Sequence, residues 1–420
     1  MNCTPAKSRL LYTTGLWLVA TLVQAQTAPT YLADVRPILT QHCSTPCHYP
    51  GGVGPFSLLT YQDVAKRAKF VAKVTQIRYM PPFPADRQFQ HYANERGLSE
   101  REIETIQAWM KAGAPEGQAV AANQQKSAVE SDPFGDRKPD LILRMKQPHP
   151  IQGDGREDFR YFHIPTGLTR DVFIEAVEFV PGNRKLLHHS RLMVDTTGSM
   201  ANIDGMAEDD PRLKTFQQTP LADEFLYGWV PGNDRVTFPA GSGKKLKAGS
   251  DLIVNIHYAP SPKPAVDQSE IRLYFATTPV TREVKTLTLN ENNISNQPFL
   301  LPANTKPTFY ISYGPLPETI QLISALPHMH RLGRTVKTFA ITPDGDLINF
   351  VKIDDWDYNW QLTYQFRELL TLPKGTVILA EATYDNTDQN PLNPNRPARP
   401  VGYGWSSTDE MLNVVLYYVK

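Results

Sequence analysis

The feature that most restricts the fold of this chain is a succession of short apolar or alternating segments that begins at Lys138. The segments are separated by Gly, Pro, Asn and Asp, and they include DLILRM, DVFIEAVEFV, SRLMVD, DLIVNIHY, EIRLYFA, TFYISY, TVKTFAI and MLNVVLYY. Their period of two and their β-branched and aromatic residues are typical of half-buried strands. The spacing predicts β-sandwiches, and the region is long enough for two, with a break between Thr278 and Val284.

Residues 28–117 show a helical pattern instead. The clearest case is the segment 99–112, where Ser99 and Glu102 have the spacing of a capping box and Gly113 follows the last apolar position. This part of the chain therefore predicts a small, mainly helical domain.

The first residues, 1–25, have the order of features of a secretory signal peptide. Lys7 and Arg9 supply positive charge, and an apolar run then leads to a small-residue cleavage site. The run is short for a spanning helix and no later segment reaches that length, so we expect an exported protein, periplasmic or secreted, with no membrane span in the mature chain. Lys+Arg and Asp+Glu are equal at 43 each, which gives no indication of nucleic-acid binding.

Two cysteines remain after this cleavage, Cys43 and Cys47, and His48 follows directly. A c-type haem needs two thiols on one helical face and an imidazole beside the second thiol, usually in the order C-x-x-C-H. One extra residue separates the thiols here, although positions four apart still share a helical face. Met80, in a Met-Pro-Pro loop, is a candidate sixth iron ligand. The alternatives are a small redox disulfide and, for Met80, ordinary core packing.

Several segments around these residues resemble a bacterial cytochrome c domain of the kind fused ahead of copper type II, ascorbate-dependent monooxygenase domains. They are YLADVRPILTQHC, GGVGPFSLLTYQDV, MPPF, QHYANERGLSEREI and AWMKAGAPEG. The resemblance covers residues 28–117 and implies a covalently bound haem c. The polar, unpatterned residues 118–137 that follow are typical of a linker.

A candidate metal site lies in the segment LPHMHRLG. His328 and His330 are two residues apart, and on a strand two such side chains point to the same face. Met411 would add a soft sulfur, and two nitrogens with a thioether favour Cu(I). The alternative for this pair of histidines is an exposed polar strand face.

A second candidate site is the adjacent pair His188 and His189. Neighbouring side chains on an ideal strand face opposite ways, so both can bind one metal only at a strand end or a bulge. His257, in the segment NIHY, would complete a three-imidazole site suited to a copper ion that changes oxidation state. The alternative is one core histidine beside one surface histidine.

The order of these residues along the chain resembles that of the peptidylglycine and dopamine hydroxylating monooxygenases. The segments DYNWQLTY, LPKGTVILAEATYDNT and NPLNPN resemble the bacterial branch of that group. The resemblance spans residues 140–420 and implies two jelly-roll sandwiches that each hold one copper across an open, wet cleft. It implies an electron-supplying site and an oxygen-activating site, formed respectively by His188, His189 and His257 and by His328, His330 and Met411.

The resemblance also limits the substrate. Peptide-amidating members bind a substrate carboxylate with an Arg and a Tyr, and the corresponding positions here are Leu326 and Val415. A peptide ending in glycine is therefore not the expected substrate, and we expect a more apolar or uncharged small molecule.

Together these features predict a multidomain chain: a small all-α cytochrome c-like domain followed by two all-β jelly-roll sandwich domains. The predicted divisions are a signal peptide at 1–25, the haem domain at 28–117, the linker at 118–137 and copper domains at 138–280 and 281–420.

The predicted function is an exported copper monooxygenase that hydroxylates a C–H bond of a small organic substrate with O2. Its cofactors would be two copper ions, haem c as an electron relay, and ascorbate or another one-electron donor, with a redox partner protein as a further electron source. The alternative is a non-catalytic periplasmic haem/copper electron-transfer or copper-binding protein. A zinc hydrolase is disfavoured because the chain has no H-E-x-x-H segment.

Overall fold

The structure, a computed structural model, describes residues 28–45, 47–118, 137–215, 224–232, 235–404 and 406–420. The predicted signal peptide and most of the predicted linker lie outside the described residues. Within them the α-helices are α1 (Arg36–Leu39), α2 (Tyr61–Ala65), α3 (Ala68–Gln76) and α4 (Glu100–Lys111). Wide π-type turns at Tyr31–Val35 and Thr40–Ser44 extend α1 on both sides, and 3-10 turns occur at Pro211–Thr215 and Glu291–Asn293.

The first β unit consists of the strands between residues 141 and 283. They are β1 (Leu141–Arg144), β2 (His149–Ile151), β3 (Asp158–Pro165), β4 (Val172–Val180), β5 (Leu187–Asp195), β6 (Met206–Ala207), β7 (Glu224–Trp229), β8 (Arg235–Thr237), β9 (Ser242–Leu246), β10 (Asp251–Tyr258), β11 (Ala265–Asp267), β12 (Glu270–Phe275) and β13 (Arg282–Glu283).

The second β unit consists of the strands between residues 285 and 419. They are β14 (Lys285–Leu289), β15 (Leu300–Leu301), β16 (Thr308–Tyr313), β17 (Ile320–His328), β18 (Gly333–Ile341), β19 (Leu347–Ile353), β20 (Tyr364–Leu372), β21 (Val377–Tyr384), β22 (Val401–Gly402) and β23 (Asn413–Val419).

The first β unit is built from two larger sheets that share one hydrophobic core. One sheet has the order β1-β12-β4-β9-β13, with β8 paired to β4, and the other has the order β6-β3-β10-β5-β7. Phe162, Leu192 and Val254 come from the second of these sheets, and they are buried in the same cluster as Ile174 and Leu273 from the first. Burial of such apolar side chains, at about 25 cal/mol per Å² of apolar surface, is what holds the two sheets together.

The second β unit repeats this arrangement with two four-stranded sheets, β14-β23-β17-β20 and β16-β21-β18-β19. Leu322 and Leu416 of the first sheet are buried together with Val336, Phe350 and Ala380 of the second.

The outer face of the β14-β23-β17-β20 sheet joins the core of the first β unit. Leu326, Val415 and Tyr417 belong to the buried cluster of that unit, and the Tyr417 hydroxyl donates to the carbonyl oxygen of Leu226 at 3.2 Å. The two β units are therefore packed against each other, and this contact places β5 and β10 of one near β17 and β23 of the other.

The N-terminal helices surround a small core of their own. The capping box predicted at Ser99 and Glu102 is present, with the Ser99 hydroxyl accepting from the Glu102 N–H at 3.3 Å and Glu102 accepting from the Ser99 N–H at 2.7 Å. Trp109 of α4 and Val35 are both fully buried in this core.

The segment 83–96 leaves the helices and lies on the second β unit. Ala85 forms a β-bridge with Ile353, Tyr92 forms one with Phe366, and the Tyr92 hydroxyl donates to the carbonyl oxygen of a residue in β19 at 2.9 Å. The region around the helices is thus attached to the strands by direct pairing.

The predicted fold class, a small all-α cytochrome c-like domain followed by two all-β jelly-roll sandwich domains, is wrong. Strands are the predominant regular structure of the described residues, and their four α-helices are short. The helical periodicity of the first hundred residues is confined to brief stretches, and the segment 83–96 between them pairs with strands instead of forming a helix. The predicted domain boundaries stay a prediction.

None of the helices in the described part of the chain has the length and apolar character needed to cross a membrane.

Candidate metal centre

The first histidine cluster, His188, His189 and His257, lies where β5 pairs with β10. His257 is the register partner of His189, and the next pair is Tyr258 with Leu187, so the register shifts at this point. His188 is therefore the extra residue of a β-bulge. Of the two arrangements that would let adjacent histidines face one point, a strand end or a bulge, the bulge is the one present.

The nitrogens of this cluster converge through Nδ1. The Nδ1 atom of His188 lies 3.0 Å from that of His189 and 3.2 Å from that of His257, and one ligand atom from each residue lies within 4.8 Å of the others. Three neutral imidazoles cannot all satisfy one another by hydrogen bonding at such distances, whereas a single metal ion can accept all three lone pairs. The donor set fits a copper ion.

Residues outside the first cluster orient its imidazole rings. The Nε2–H of His188 donates to Asn359 Oδ1 at 3.1 Å, which leaves Nδ1 as the lone-pair nitrogen. Phe159 stacks on His257 with ring centroids 3.9 Å apart, and Glu157 Oε1 lies 3.6 Å from Nε2 of His257. Such partners hold a ligating ring in one tautomer and one orientation.

Burial keeps the first cluster neutral. It lowers the pKa of His188 to about 4, with a further lowering from the nearby His257. Burial also lowers the pKa of His189 well below its usual value, and that of His257 as well. Neutral imidazole is the form that binds a metal ion.

The second histidine cluster, His328 and His330, lies at the end of β17. His328 is the last residue of the strand and His330 follows it, yet the ring centroids are only 5.1 Å apart. The Nδ1–H of His330 donates to the carbonyl oxygen of Asp409 at 3.1 Å, and the Nδ1–H of His328 donates to Gln361 Oε1.

These bonds leave Nε2 of each ring as the lone-pair nitrogen. Nε2 of His328 is buried and has no hydrogen-bond partner, which is costly for a polar atom unless something else binds it. Burial lowers the pKa of His330 to about 4 and that of His328 well below its usual value. The second cluster therefore also fits a metal ion.

Met411 is linked to the second cluster through the strand pairing of Asn413 and through the carboxyl group of Glu410. His328 is the register partner of Asn413, whose Nδ2 lies 3.5 Å from the sulfur of Met411. The backbone N–H groups of His330 and Met411 both donate to Oε2 of Glu410, at 2.9 and 3.1 Å. Met411 is fully buried, so its thioether is protected from solvent at this site.

One aromatic ring contacts both clusters. The centroid of Tyr358 lies 5.5 Å from that of His188 and 6.1 Å from that of His330. Tyr358 is 9% exposed, and burial raises the pKa of its hydroxyl. The segment around it also supplies Asn359 to one cluster and Gln361 to the other.

An ionic contact joins the two β units beside the clusters. Arg331 of the second unit pairs with Glu157 of the first, and the Ser407 hydroxyl donates to Glu157 Oε2 at 2.6 Å. Burial raises the pKa of Glu157, but the nearby His257, the hydrogen bond from Ser407 and the charge of Arg331 outweigh it and lower the pKa to about 2. Glu157 is therefore a carboxylate throughout the physiological range.

A cleft of about 1010 Å³ opens between the units next to both clusters. Its wall includes Glu157 and Phe159, which contact the first cluster, and Asp409, which bonds to the second. Glu208 and Ser407 also line it, and the cleft is large enough for a small organic molecule.

The two positions that correspond to the carboxylate-binding Arg and Tyr of peptide-amidating enzymes are apolar and buried. Leu326 and Val415 are register partners on β17 and β23, and both are buried in the core shared with the first β unit. No cation is present at either position to bind a substrate carboxylate.

The residues predicted to hold haem c lie apart from both clusters in the sequence. Cys43 and Cys47 are not joined by a disulfide, and burial raises the pKa of the Cys43 thiol to about 12. The Nδ1–H of His48 donates to a backbone carbonyl oxygen at 3.0 Å. Met80 lines a separate cavity of about 440 Å³ whose lining includes none of these three residues.

Sequence reasoning missed the residues that hold the clusters in place. Tyr358, Asn359 and Gln361 come from the segment DYNWQLTY, which had only a family resemblance to draw attention to it. Glu410 precedes Met411 and could have been noticed as an acidic residue next to a ligand. For Glu157 no local signal exists, because its role depends on contacts with distant residues.

Comparison with known proteins finds a family match for the C-terminal part of this chain. Residues 311–420 match the C-terminal domain of copper type II ascorbate-dependent monooxygenases. This part of the chain is therefore similar to a domain of copper-dependent, ascorbate-type monooxygenases, in agreement with the predicted enzyme class. The predicted resemblance to a bacterial branch with a fused cytochrome c domain receives no such support.

One curated relative and several solved structures show weaker likeness. MOXD1 homolog 1 of Drosophila melanogaster is 25% identical over 243 residues, which is 54% of this chain and 32% of the relative. The chain thus spans about a third of the length of that relative. The major capsid protein P2 of bacteriophage PM2 is 8% identical, with a TM-score of 0.26 over 66% of this chain and 96% of that one. An allantoicase is 10% identical, with a TM-score of 0.16 over 54% of this chain and 77% of that one.

Proposed function

We propose that this chain is a two-copper monooxygenase that hydroxylates a C–H bond of a small organic molecule with O2 and electrons from ascorbate or a similar one-electron donor. The observation that carries the proposal is the convergence of three imidazoles in one partly buried cluster and the pairing of two more at the end of β17. The backbone N–H groups of His330 and Met411 share one acceptor beside the second cluster. The match of residues 311–420 to a copper- and ascorbate-dependent family supports the same conclusion.

The residues present fit copper at both clusters. His188, His189 and His257 would hold one ion, and His328, His330 and Met411 would hold the other. When bound, the two ions would supply the one-electron chemistry of oxygen activation and C–H hydroxylation.

Hydrogen bonds within the chain orient the ligands at both metal positions. Asn359 and Gln361 set the tautomers of His188 and His328, so that the lone pairs face the metal positions. The cleft beside the clusters would hold the substrate. Since the apolar Leu326 and Val415 stand at the positions of the carboxylate-binding Arg and Tyr of peptide-amidating enzymes, we propose an uncharged or apolar substrate in preference to a C-terminal carboxylate.

Metal analysis combined with oxygen uptake tests the proposal. We expect two coppers per chain and oxygen consumption with ascorbate, His328→Ala to lose one copper, and His257→Ala to lose the other. His91→Ala is the matched control, because this histidine is 63% exposed and lies outside both clusters. A wild-type chain without copper would refute the proposal. Two coppers without oxygen consumption would favour the alternative, a non-catalytic copper or electron-transfer protein.

We further propose that a c-type haem at Cys43, Cys47 and His48 relays electrons to the copper sites, with Met80 as sixth ligand. The support is local: the N–H groups of Cys47 and His48 both donate to the carbonyl oxygen of Cys43, at 3.2 and 2.9 Å, so one helical turn carries both thiols. The test is the absorbance spectrum and intact mass of the exported protein. A mass without haem would end this part of the proposal and leave the copper function standing.

Export is also proposed, on the composition of residues 1–25. Cell fractionation with sequencing of the mature N-terminus tests it, and an uncleaved chain in the cytoplasmic fraction would contradict it.

A further inference from the structure

We infer that the ring of Tyr358 is the route by which one electron passes between the two histidine clusters. The inference rests on the proposed two-copper function and adds to it a residue that belongs to neither ligand set. The resemblance described above implies an open, wet cleft between two copper sites, whereas here a buried aromatic ring touches both clusters.

Tyr358 contacts the whole of the first cluster. Its ring stacks on His188, with centroids 5.5 Å apart and planes at 28°. The centroids of His189 and His257 lie 6.4 and 6.5 Å from that of Tyr358. These separations are those of packed aromatic pairs, with no room for an intervening layer of water.

The same ring contacts the second cluster. The centroid of His330 lies 6.1 Å from that of Tyr358, with the planes at 86°, so the imidazole is edge-on to the phenol ring. An electron leaving a ligand of one cluster can therefore reach a ligand of the other through one packed side chain. Electronic coupling decays less steeply through packed atoms than across a solvent-filled gap.

Contacts outside the two clusters also hold Tyr358 in place. Arg331 lies over it, with the guanidinium carbon 5.4 Å from the centroid, and Gln361 Nε2 donates to the backbone carbonyl oxygen of Tyr358 at 2.8 Å. The neighbouring Asn359 bonds to His188, and Gln361 bonds to His328. One short segment thus fixes the ring and is anchored to both clusters.

The proposed step moves one electron and no proton. A Cu(I) ion held by His188, His189 and His257 would give up one electron and become Cu(II), and an ion held by His328, His330 and Met411 would accept that electron. Tyr358 is neither oxidised nor deprotonated, and an ascorbate-class donor later returns the first ion to Cu(I). In the absence of substrate, O2 with two protons and the two electrons of the reduced protein becomes H2O2.

Three variants of the full chain distinguish the effect of the aromatic ring from the effect of the volume that it fills. Tyr358→Phe keeps the ring and loses only the hydroxyl. Tyr358→Leu and Tyr358→Met keep apolar volume and lose the ring, and Met adapts well to an irregular space. Copper content and the copper–copper distance, from pulsed dipolar EPR of the oxidised protein, show whether each variant keeps both sites in place.

The decisive measurement follows reoxidation of the fully reduced, copper-loaded protein by O2 with freeze-quenched EPR. His257→Ala and His328→Ala assign the Cu(II) signal of each cluster. We expect the two signals to rise together in wild type and in Tyr358→Phe. In Tyr358→Leu and Tyr358→Met the signal of the first cluster should lag by on the order of tenfold, at unchanged copper content and distance.

Each other outcome has a defined meaning. A copper-loaded Leu or Met variant without a lag overturns the inference, while the proposed function stands. Loss of copper from both Tyr358→Leu and Tyr358→Met, with copper retained in Tyr358→Phe, also overturns the inference. The ring would then act only by keeping the copper ligands in position. A wild-type protein that holds no copper or does not react with O2 refutes the proposed function itself.

Discussion

His330 and Met411 are linked by a common acceptor: the backbone N–H of each donates to Oε2 of Glu410, at 2.9 and 3.1 Å. The other oxygen of Glu410 accepts from the N–H of Leu332 at 2.6 Å, and its carboxyl group is fully buried. The turn after β17 and the segment before β23 are therefore joined at the position where an imidazole and a thioether must meet.

Removal of this acceptor should damage the second cluster and spare the first. Glu410→Ala would leave buried amide donors without partners, which costs on the order of 3 kcal/mol or more of unfolding free energy. We expect copper content to fall from two towards one per chain, with the EPR signal of the first cluster retained. Chemical denaturation and metal analysis measure both effects.

The controls for this prediction are Glu410→Gln, which keeps one carbonyl oxygen and should give a smaller effect, and Glu381→Ala on an exposed position of β21. Equal loss of copper from both clusters would show that Glu410 acts on the fold as a whole.

Gln361 and Asn359 should act on different copper sites although they are two residues apart. Gln361 accepts from Nδ1 of His328, and Asn359 accepts from Nε2 of His188. Loss of such a partner typically weakens metal binding by about 10–100-fold. We expect Gln361→Leu to weaken Cu(I) binding at the second cluster and Asn359→Leu to weaken it at the first, as measured by competition with a Cu(I) chelator. A reversed or uniform pattern would contradict the assignment.

The sequence allowed the parts of the site that depend on local geometry to be predicted. The alternation of side chains along a strand requires a strand end or a bulge at His188 and His189, and the register with β10 shows a bulge. The convergence of His328 and His330 follows from their spacing of two, although His330 lies just beyond the strand end.

Features that depend on contacts between distant segments could not be predicted. Nothing in the local pattern of Glu157 shows that Arg331 and Ser407 will meet it, because these residues are brought together by the packing of the two β units. The fold class failed for a related reason. The helical periodicity near the N-terminus is short, and the following segment, 83–96, is stabilised by pairing with strands far along the chain.

The ionic contact between the two β units should contribute more to stability than an exposed pair does. Glu157 and Arg331 are 22% and 35% exposed, and Glu157 also accepts from Ser407. We expect Arg331→Met to lower the unfolding free energy by about 2 kcal/mol, since a hydrogen bond to a charged group is lost from a partly buried site. Lys420→Met is the control, because its pair with Glu318 is 48% exposed on both sides and should matter by less than about 1 kcal/mol. Equal losses of unfolding free energy for Arg331→Met and Lys420→Met in denaturant titrations would contradict the prediction.

Glu208, in the wall of the cleft, should make the stability of the protein fall as pH rises. Burial raises the pKa of Glu208 from 4.5 to about 7, and the charge of Arg191 and a hydrogen bond from Tyr161 offset this only in part. Between pH 4.5 and about 7 the folded state therefore holds this proton more tightly than the unfolded state, so the contribution of Glu208 to the unfolding free energy decreases through that window and is constant above it.

Glu208→Gln removes this titration. The variant should show a flatter pH dependence of stability between pH 4.5 and 7, and at pH 8 it should be more stable than wild type by on the order of 3 kcal/mol. Glu368→Gln, at an exposed position of β20, is the matched control and should leave the pH profile unchanged. Urea titrations at a series of pH values supply the measurement. A Glu208→Gln profile parallel to that of wild type would mean that Arg191 holds this carboxylate ionised in the folded protein, and that burial does not dominate.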